Sequence, residues 1–95
     1  MEWLDAEDKQ RLADLDVEFD VLDIYKRNAR YGPIFQLVVE IGGEGFNLAL
    51  RAGAVPARDG LLNAWLSYFA TGGARPTTMK LVKSGRMFLV KEVTA

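Results

Sequence analysis

Two strand-like segments joined by a glycine-rich turn constrain this chain more than any other part of it. Ile34 to Ile41 is an almost unbroken apolar run, and Phe46 to Arg51 alternates large apolar residues with small or polar ones. Both patterns are typical of β-strands. The connection, Gly42 to Gly45, has three glycines in four positions, so its backbone can adopt the positive φ angles that tight turns need. The spacing predicts a β-hairpin, and we expect the rest of the chain to pack against it.

Strand patterns also precede and follow this hairpin. From Val17 to Tyr25, apolar and polar residues alternate with a period of two, which predicts a first strand. Thr77 to Lys83 and Arg86 to Glu92 predict two more strands. Only Ser84 and Gly85 separate these last two segments, and so short a link favours a tight hairpin.

Two helices are predicted. The longer one covers Arg58 to Ala70, between the third and fourth strands, because its apolar residues repeat at helical spacing and form one broad face. We expect Trp65 to be buried against the hairpin. A shorter helix is predicted to begin after Asp5, which has the side chain of an N-cap, and to extend to about Ala13.

The absence of cysteine and histidine limits the chemistry of this chain of 95 residues. Thiolate and imidazole metal sites are excluded, as are Cys-His and Ser-His-Asp catalysis. The acidic residues near the start are strung along the chain without a partner base or a glycine-rich phosphate loop, so we interpret them as solvated charge. The sequence therefore predicts one domain, residues 1–95, that is not an enzyme and needs no cofactor or metal.

The chain is predicted to be cytoplasmic. No apolar run approaches the ~20 residues that a membrane-spanning helix needs. The first residues are acidic where a signal peptide is basic, and the absence of cysteine gives no disulfide argument for secretion. No membrane partner is expected.

Charge is distributed unevenly along the chain. Residues 1–23 contain nine acids and two bases, whereas residues 24–95 contain ten bases and four acids. We therefore distinguish an acidic N-terminal extension, residues 1–15, from the main domain, residues 16–93. Two interpretations of the extension are open. It either lies over a basic groove, where its acids compete with the phosphates of a ligand, or is docked on the far side of the domain by Trp3, Leu4 and Leu12. Deleting the first 13 residues raises affinity at low salt in the first case and lowers stability in the second.

The predicted elements follow the order strand, strand, strand, helix, strand, strand. This is the chain order of the OB-fold, a five-stranded Greek-key barrel whose helix lies at one open end. From about Asp16 to Val93 the sequence resembles OB-fold single-stranded DNA-binding proteins, and in particular their compact phage type. The matching segments are the basic stretch Lys26 to Gly32, the hairpin Phe35 to Arg51, the helix Leu61 to Phe69 and the turn Lys83 to Arg86.

This resemblance implies both a fold and a function. The fold is mainly β, a five-stranded OB-fold barrel with one helix between strands 3 and 4 and a short N-terminal helix. The function is non-catalytic binding of single-stranded DNA, largely independent of sequence, in phage replication or recombination in the host cytoplasm.

Basic and aromatic residues coincide near the predicted hairpin. Binding to a single strand needs this combination, because cations follow the phosphates and flat side chains stack on bases of any identity. A basic loop after the first strand is predicted to supply most of the site, and the third strand and the last turn complete the groove. Phe88 is a secondary stacking candidate. The predicted nucleic-acid-binding residues are Tyr25, Lys26, Arg27, Asn28, Arg30, Tyr31, Asn47, Arg51, Lys83 and Arg86.

A protein-interaction module is the alternative. In that case Val38 or the exposed edge of the first strand binds a protein partner or a second copy of the chain, and the basic loops serve only for solubility. RNA in place of DNA is also compatible with the predicted surface. Salt dependence separates the two classes of function, because phosphate contacts release counterions, whereas a protein-recognition barrel has no measurable affinity for an oligonucleotide.

Overall fold

Strands dominate the computed structural model, which describes residues 2–53, 55–71 and 77–93. In chain order its elements are β1 (Glu2–Trp3), α1 (Ala6–Asp14), β2 (Glu18–Ala29), β3 (Gly32–Ile41), β4 (Glu44–Arg51), α2 (Pro56–Ala70), β5 (Thr77–Ser84) and β6 (Met87–Glu92). All six strands belong to one mixed sheet, in the order β1-β4-β3-β2-β5-β6. Within the described residues, no helix is long and apolar enough to cross a membrane.

β3 and β4 form the central hairpin, as predicted. They pair antiparallel from Ile34 opposite Arg51 as far as the turn. Gly42 and Gly43, with φ angles of 58° and 84°, are the two turn residues, and a type I′ turn requires positive φ at both positions. An L side chain is strained at either position, so the glycines determine where the chain reverses.

β2 continues past the predicted end of the first strand because its backbone pairs with the first residues of β3. Ala29 lies opposite Gly32, and only Arg30 and Tyr31 remain as the turn. The prediction of a basic loop after the first strand is therefore wrong, since its residues form the end of a long hairpin. A ladder satisfies backbone groups that a loop would leave to water, and Gly32 takes the positive φ of 119° at the turn.

A β-bulge in β2 changes which residues face the core. Pairing with β3 shifts between Val21 and Asp23, so Leu22 is an extra residue in β2. A bulge re-aims the side chains that follow it. Val21 is buried, and strict alternation would turn Tyr25 inward as well. Instead Ile24 is buried and Tyr25 is exposed.

The core is enclosed by the inward face of the sheet and by α2, which packs along β2. Leu62 is the apolar residue of α2 that is fully buried. Trp65, which we expected to be buried, is only partly buried. The centroid of its ring lies 5.3 Å from that of the Tyr68 ring. The buried apolar residues are Phe19, Val21, Ile24, Phe35, Leu37, Val39, Leu48, Leu50, Leu62, Met79, Leu81 and Val90.

The N-terminal segment is docked on the sheet. Leu4 and Leu12 pack against the core, so the segment is docked as one of the two interpretations held. It lies along β4, however, which carries predicted binding residues, and not on the far side of the domain. The Asp5 carboxylate accepts a hydrogen bond from the Asp8 backbone N–H at 2.7 Å, and the Asp8 carboxylate accepts one from the Asp5 N–H at 3.2 Å. This reciprocal capping fixes the start of α1. Trp3 does not pin the segment to the core, because it is 49% exposed.

The prediction of a five-stranded OB-fold barrel with a helix between strands 3 and 4 is wrong. The sheet has six strands and is open, and α2 follows the fourth strand. β1 pairs in parallel with β4, with Glu2 opposite Phe46 and Trp3 opposite Asn47, whereas β4 and β6 form no ladder in the described ranges. Alternation identifies strands, but tertiary contacts decide which edges pair, and a two-residue strand carries no pattern.

The carbonyls on the outward edge of β4 accept hydrogen bonds from the N-terminal segment. The carbonyls of Asn47 and Ala49 accept hydrogen bonds from the Leu4 backbone N–H at 2.9 Å and from Lys9 Nζ at 3.0 Å. A strand edge that exposes such carbonyls is open to pairing with another chain. Here β1, Leu4 and Lys9 of α1 occupy the edge.

Arg58 joins the two sheet edges that do not pair. Its Nη1 donates to the carbonyl of Phe88 in β6 at 2.7 Å, and its Nη2 donates to the carbonyl of Arg51 in β4. Asp59 lies 3.2 Å from the same guanidinium, and Arg58 is only 4% exposed. The planar fork of donors suits this position, because one side chain reaches carbonyls on two separate strands.

Replacing Arg58 tests this bridge. Arg58→Ala leaves two partly buried carbonyls without their donor, so we expect the free energy of unfolding to fall by about 3–5 kcal/mol. Arg58→Lys keeps the charge but not the fork, and an intermediate loss is expected. Urea unfolding measures both, with Lys91→Ala at an exposed position of β6 as the control. A loss below about 1 kcal/mol for Arg58→Ala would show that the bridge is dispensable.

Candidate nucleic-acid interface

The face of β2, β3 and β4 that points away from the core presents polar and aromatic side chains in rows across the strands. In one row Arg27 and Arg51 flank Ile34. In the next row Tyr25 lies beside Gln36. We call this surface the sheet face. Its residues are Asp23, Tyr25 and Arg27 on β2, Ile34, Gln36 and Val38 on β3, Asn47, Ala49 and Arg51 on β4, and Trp3 on β1.

Trp3 belongs to the sheet face because β1 pairs in parallel with β4. It lies level with Asn47, and residues at the same level of neighbouring strands point to the same side of a sheet. Leu4, the next residue, packs against the core, which agrees with this alternation. Trp3 and Tyr25, exposed by 49% and 41%, therefore present aromatic rings from opposite edges of the sheet face.

A chain of hydrogen bonds crosses the sheet face between these rings. Arg27 Nε donates to Gln36 Oε1, and Gln36 Nε2 donates to Asn47 Oδ1 at 2.9 Å. Both amides are largely covered, since each residue is 8% exposed. The bond to Gln36 occupies one of the five N–H donors of Arg27. Among the described residues Arg27 has no ion pair, so its other donors remain for solvent or an anion.

The ring of Tyr25 is held by its neighbours on β2. Its hydroxyl donates to Asp23 Oδ2 at 2.6 Å, and Asp23 Oδ1 accepts the backbone N–H of Ile24 at 2.9 Å. The Arg27 guanidinium lies 5.3 Å from the ring centroid, within the range of a cation–π contact. The hydrogen bond to Asp23, followed by its negative charge, raises the pKa of Tyr25 above the ordinary value.

The turn between β2 and β3 adds an aromatic residue and a cation next to the sheet face. Tyr31 is 78% exposed. Arg30 lies with its guanidinium 5.5 Å from the centroid of the Tyr31 ring. Both predicted residues are therefore at the surface, at the end of the hairpin rather than in a loop.

Lys26 and Asn28 are separated from the other predicted residues of β2. They alternate to the opposite side of the strand from Arg27, and both are exposed. Lys26 Nζ lies 5.6 Å from the ring centroid of Phe35, which is a core residue. The structure therefore does not place Lys26 or Asn28 on the sheet face.

A groove between the edges of β4 and β6 gathers the remaining predicted cations. Arg51, at the end of β4, and Arg86, in the turn before β6, both line it. Lys83 lies close by, with Nζ 4.2 Å from the ring centroid of Phe88. We call this space, of about 410 Å³, the seam groove. Its lining residues are Lys9, Ala49, Leu50, Arg51, Arg58, Arg86, Met87 and Phe88.

Lys9 reaches the seam groove from α1. Besides its bond to the carbonyl of Ala49, its Nζ lies 5.6 Å from the ring centroid of Phe88. Burial lowers the pKa of Lys9, and the positive charges of Lys83 and Arg58 lower it further. Burial is the main cause of this shift, and the neighbouring cations add to it.

Several residues of these surfaces were not among the predicted binding residues, and three of them, Gln36, Trp3 and Lys9, differ in the signal that the sequence carried for them. Gln36 carried a signal, because it is one of the polar residues that interrupt the apolar segment from Ile34 to Ile41. Trp3 carried a weak one, since the strand it belongs to is only two residues long. Lys9 carried none, because a base in an acidic helix is placed by docking and not by any local pattern.

The described residues contain no group of three or more side chains that could hold a metal ion. Comparison of the chain with protein-family models, curated proteins and solved structures finds no match. The function of the sheet face and the seam groove is therefore inferred from their geometry and charge.

The titration of Tyr25 tests the geometry of the sheet face. Its phenol is expected to lose its proton above the ordinary pKa of about 10, because ionisation breaks the bond to Asp23 and places two negative charges side by side. Asp23→Asn removes that charge, so we expect the pKa of Tyr25 to fall. Phenolate absorbance, taken as the difference between each protein and its Tyr25→Phe variant, isolates this residue.

The matched control is Asp20→Asn on the same strand, since Asp20 is bonded to Thr78 at 2.7 Å and not to Tyr25. The control should leave the titration of Tyr25 nearly unchanged. An equal effect of the two substitutions would mean that Asp23 does not hold the ring.

Proposed function

We propose that this protein binds single-stranded DNA, without catalysis and largely without sequence preference, on the sheet face. One observation carries the proposal: two exposed aromatic side chains, Trp3 and Tyr25, share one sheet surface with two arginines that have no ion pair among the described residues, Arg27 and Arg51. Stacking platforms beside cations are what a single strand needs, and RNA meets the same chemistry.

The arginines account for phosphate binding. Arg27 on β2 and Arg51 on β4 lie on either side of Ile34 on β3. Their backbones are therefore two strand spacings apart, or ~10 Å. Long side chains at this separation can contact more than one phosphate of a strand that crosses the sheet. Arg30, at the turn next to Arg27, extends the same positive surface.

The side-chain amides that lie between the rings of Trp3 and Tyr25 explain why we expect little sequence preference. Gln36 donates a hydrogen bond to Asn47 and accepts one from Arg27. Reading a base would require these groups to exchange a hydrogen bond within the protein for one to the base, with little net gain. Stacking on Trp3 and Tyr25 carries no such requirement, because every base has a π-face.

Acidic residues limit the proposed site at the end of β2 and β3 that is far from Arg27. Asp20 and Glu40 lie opposite each other on β2 and β3, and Glu18 alternates to the same side of β2. Phosphates are repelled there and attracted by Arg27 and Arg51. The bound strand is therefore expected to cross the β-strands near the arginine row rather than to follow β2 along its length.

The proposed activity is the one implied by the resemblance to single-stranded DNA-binding proteins of the compact phage type. Its support comes from the chemistry of this surface and not from a barrel fold. The proposed setting is the cytoplasm, a host cytoplasm if the chain is phage-encoded, in replication or recombination.

Binding of a fluorescent oligothymidylate at several salt concentrations tests this function. The logarithm of the association constant should fall with the logarithm of salt, and the double variant Arg27→Gln/Arg51→Gln should flatten that slope by ~0.7 for each phosphate that the protein no longer neutralises. Trp3→Ala and Tyr25→Ala should each cost about 1–3 kcal/mol of binding free energy with a smaller change in slope, because stacking is not ionic.

The control for the double variant is Arg11→Gln/Lys91→Gln, which removes the same charge at exposed positions outside the sheet face. Its slope should match that of the wild type. If the folded wild-type protein has no affinity at low salt, the proposal is wrong and a protein-interaction module is favoured. If the two double variants behave alike, the strand is bound elsewhere.

A further inference from the structure

The seam groove has more positive charge than the fold requires. All four of its charged lining residues are cations: Lys9, Arg51, Arg58 and Arg86. Four other grooves formed by the described residues each include at least one carboxylate. At about 410 Å³, the seam groove also lies within the ~300–1,000 Å³ typical of small-molecule sites.

These cations fall into two groups. Lys9 and Arg58 have a structural task, since they donate to the edge carbonyls of Ala49, Arg51 and Phe88. The guanidinium groups of Arg51 and Arg86 have neither an ion pair nor a hydrogen bond among the described residues. Arg58 is compensated by Asp59, but Lys9 has no ion pair among the described residues. Placing Arg51 and Arg86 beside Lys9 therefore costs Coulomb energy, which a bound anion would offset.

The donors that remain in the groove suit a phosphate group. One of the three ammonium protons of Lys9 is used by the carbonyl of Ala49, which leaves two. Arg51 and Arg86 each offer a planar fork of donors, the geometry that matches phosphate oxygens in pairs. Together the three side chains provide more donors than one phosphate accepts.

An apolar surface lies beside these donors. Met87 and Phe88 line the same groove, and the Phe88 ring has lysine ammonium groups at 4.2 Å and 5.6 Å from its centroid. A ligand that combines an anionic group with a flat, weakly polar part fits both features at once. A nucleotide is such a ligand.

We propose that the seam groove holds one nucleotide unit of the bound strand, with its phosphate at Lys9, Arg51 and Arg86 and its base against Met87 and Phe88. This rests on the proposed binding of single strands. Arg51 provides continuity, because it belongs both to the arginine row of the sheet face and to the lining of the groove. The strand passes from the sheet face over the edge of β4 into the groove.

Arg86→Gln tests the groove separately from the sheet face, with Lys91→Gln, at an exposed position of β6 that does not line the groove, as a control of equal charge. Arg86 is an exposed turn residue, so the fold is expected to tolerate the change. Arg86→Gln should weaken binding of an oligothymidylate about tenfold and flatten the salt slope by ~0.7. Lys91→Gln should match the wild type in both.

A mononucleotide tests the groove without the rest of the strand. Titration with thymidine 5′-monophosphate should shift the NMR signal of the Met87 methyl group, and thymidine without its phosphate should shift it far less. Arg86→Gln should reduce the shift produced by the monophosphate, and Lys91→Gln should not.

The outcomes separate the groove from the general function. If the wild type binds the oligonucleotide but Arg86→Gln equals Lys91→Gln in affinity and slope, and Met87 does not respond to the monophosphate, the groove holds no nucleotide while the sheet-face function stands. If the wild type binds no oligonucleotide at any salt concentration, the proposed function is wrong and the nucleotide assignment falls with it.

Discussion

The outward carbonyls of β4 are the constraint on which the rest of the structure depends. A sheet edge that is neither paired nor covered exposes acceptors that need donors, and this sheet is open between β4 and β6. The donors come from outside the sheet: Leu4 and Lys9 from the N-terminal segment, and Arg58 from α2. The positions of both helices are therefore linked to one strand edge, and Arg58 also ties that edge to β6.

The same arrangement produces the charged surface. Cations are suitable donors to carbonyls because they make strong hydrogen bonds, but they leave positive charge where the two sheet edges approach each other. The seam groove is positive for this structural reason, and Arg51 and Arg86 then increase the charge beyond what the edge needs. The cations that stabilise the strand edges therefore also favour the binding of an anion. Acidic side chains are kept at the start of β2 and on the neighbouring end of β3.

Local patterns in the sequence predicted the strands and helices better than their arrangement. The β3–β4 hairpin was predictable because Gly42 and Gly43 fix its turn. Tyr25 was predicted as a binding residue from its type and its basic neighbours, but its outward orientation does not follow from alternation. The bulge at Leu22 reverses the alternation, and nothing in the residues themselves marks a bulge. The barrel was predicted wrongly because closure depends on pairing between distant edges, where the two residues of β1 compete for β4. For the site, Arg27 and Arg51 were predicted by residue type, while Lys9 entered it only through docking of α1.

Side-chain amide signals in NMR spectra test most directly whether the sheet face binds the strand. Gln36 and Asn47 lie on the sheet face, whereas Gln10 and Asn63 lie on α1 and α2. On addition of an oligothymidylate, we expect the NH2 signals of Gln36 and Asn47 to shift and those of Gln10 and Asn63 to stay in place. Shifts of Gln10 or Asn63 with unchanged signals for Gln36 and Asn47 would contradict binding on the sheet face.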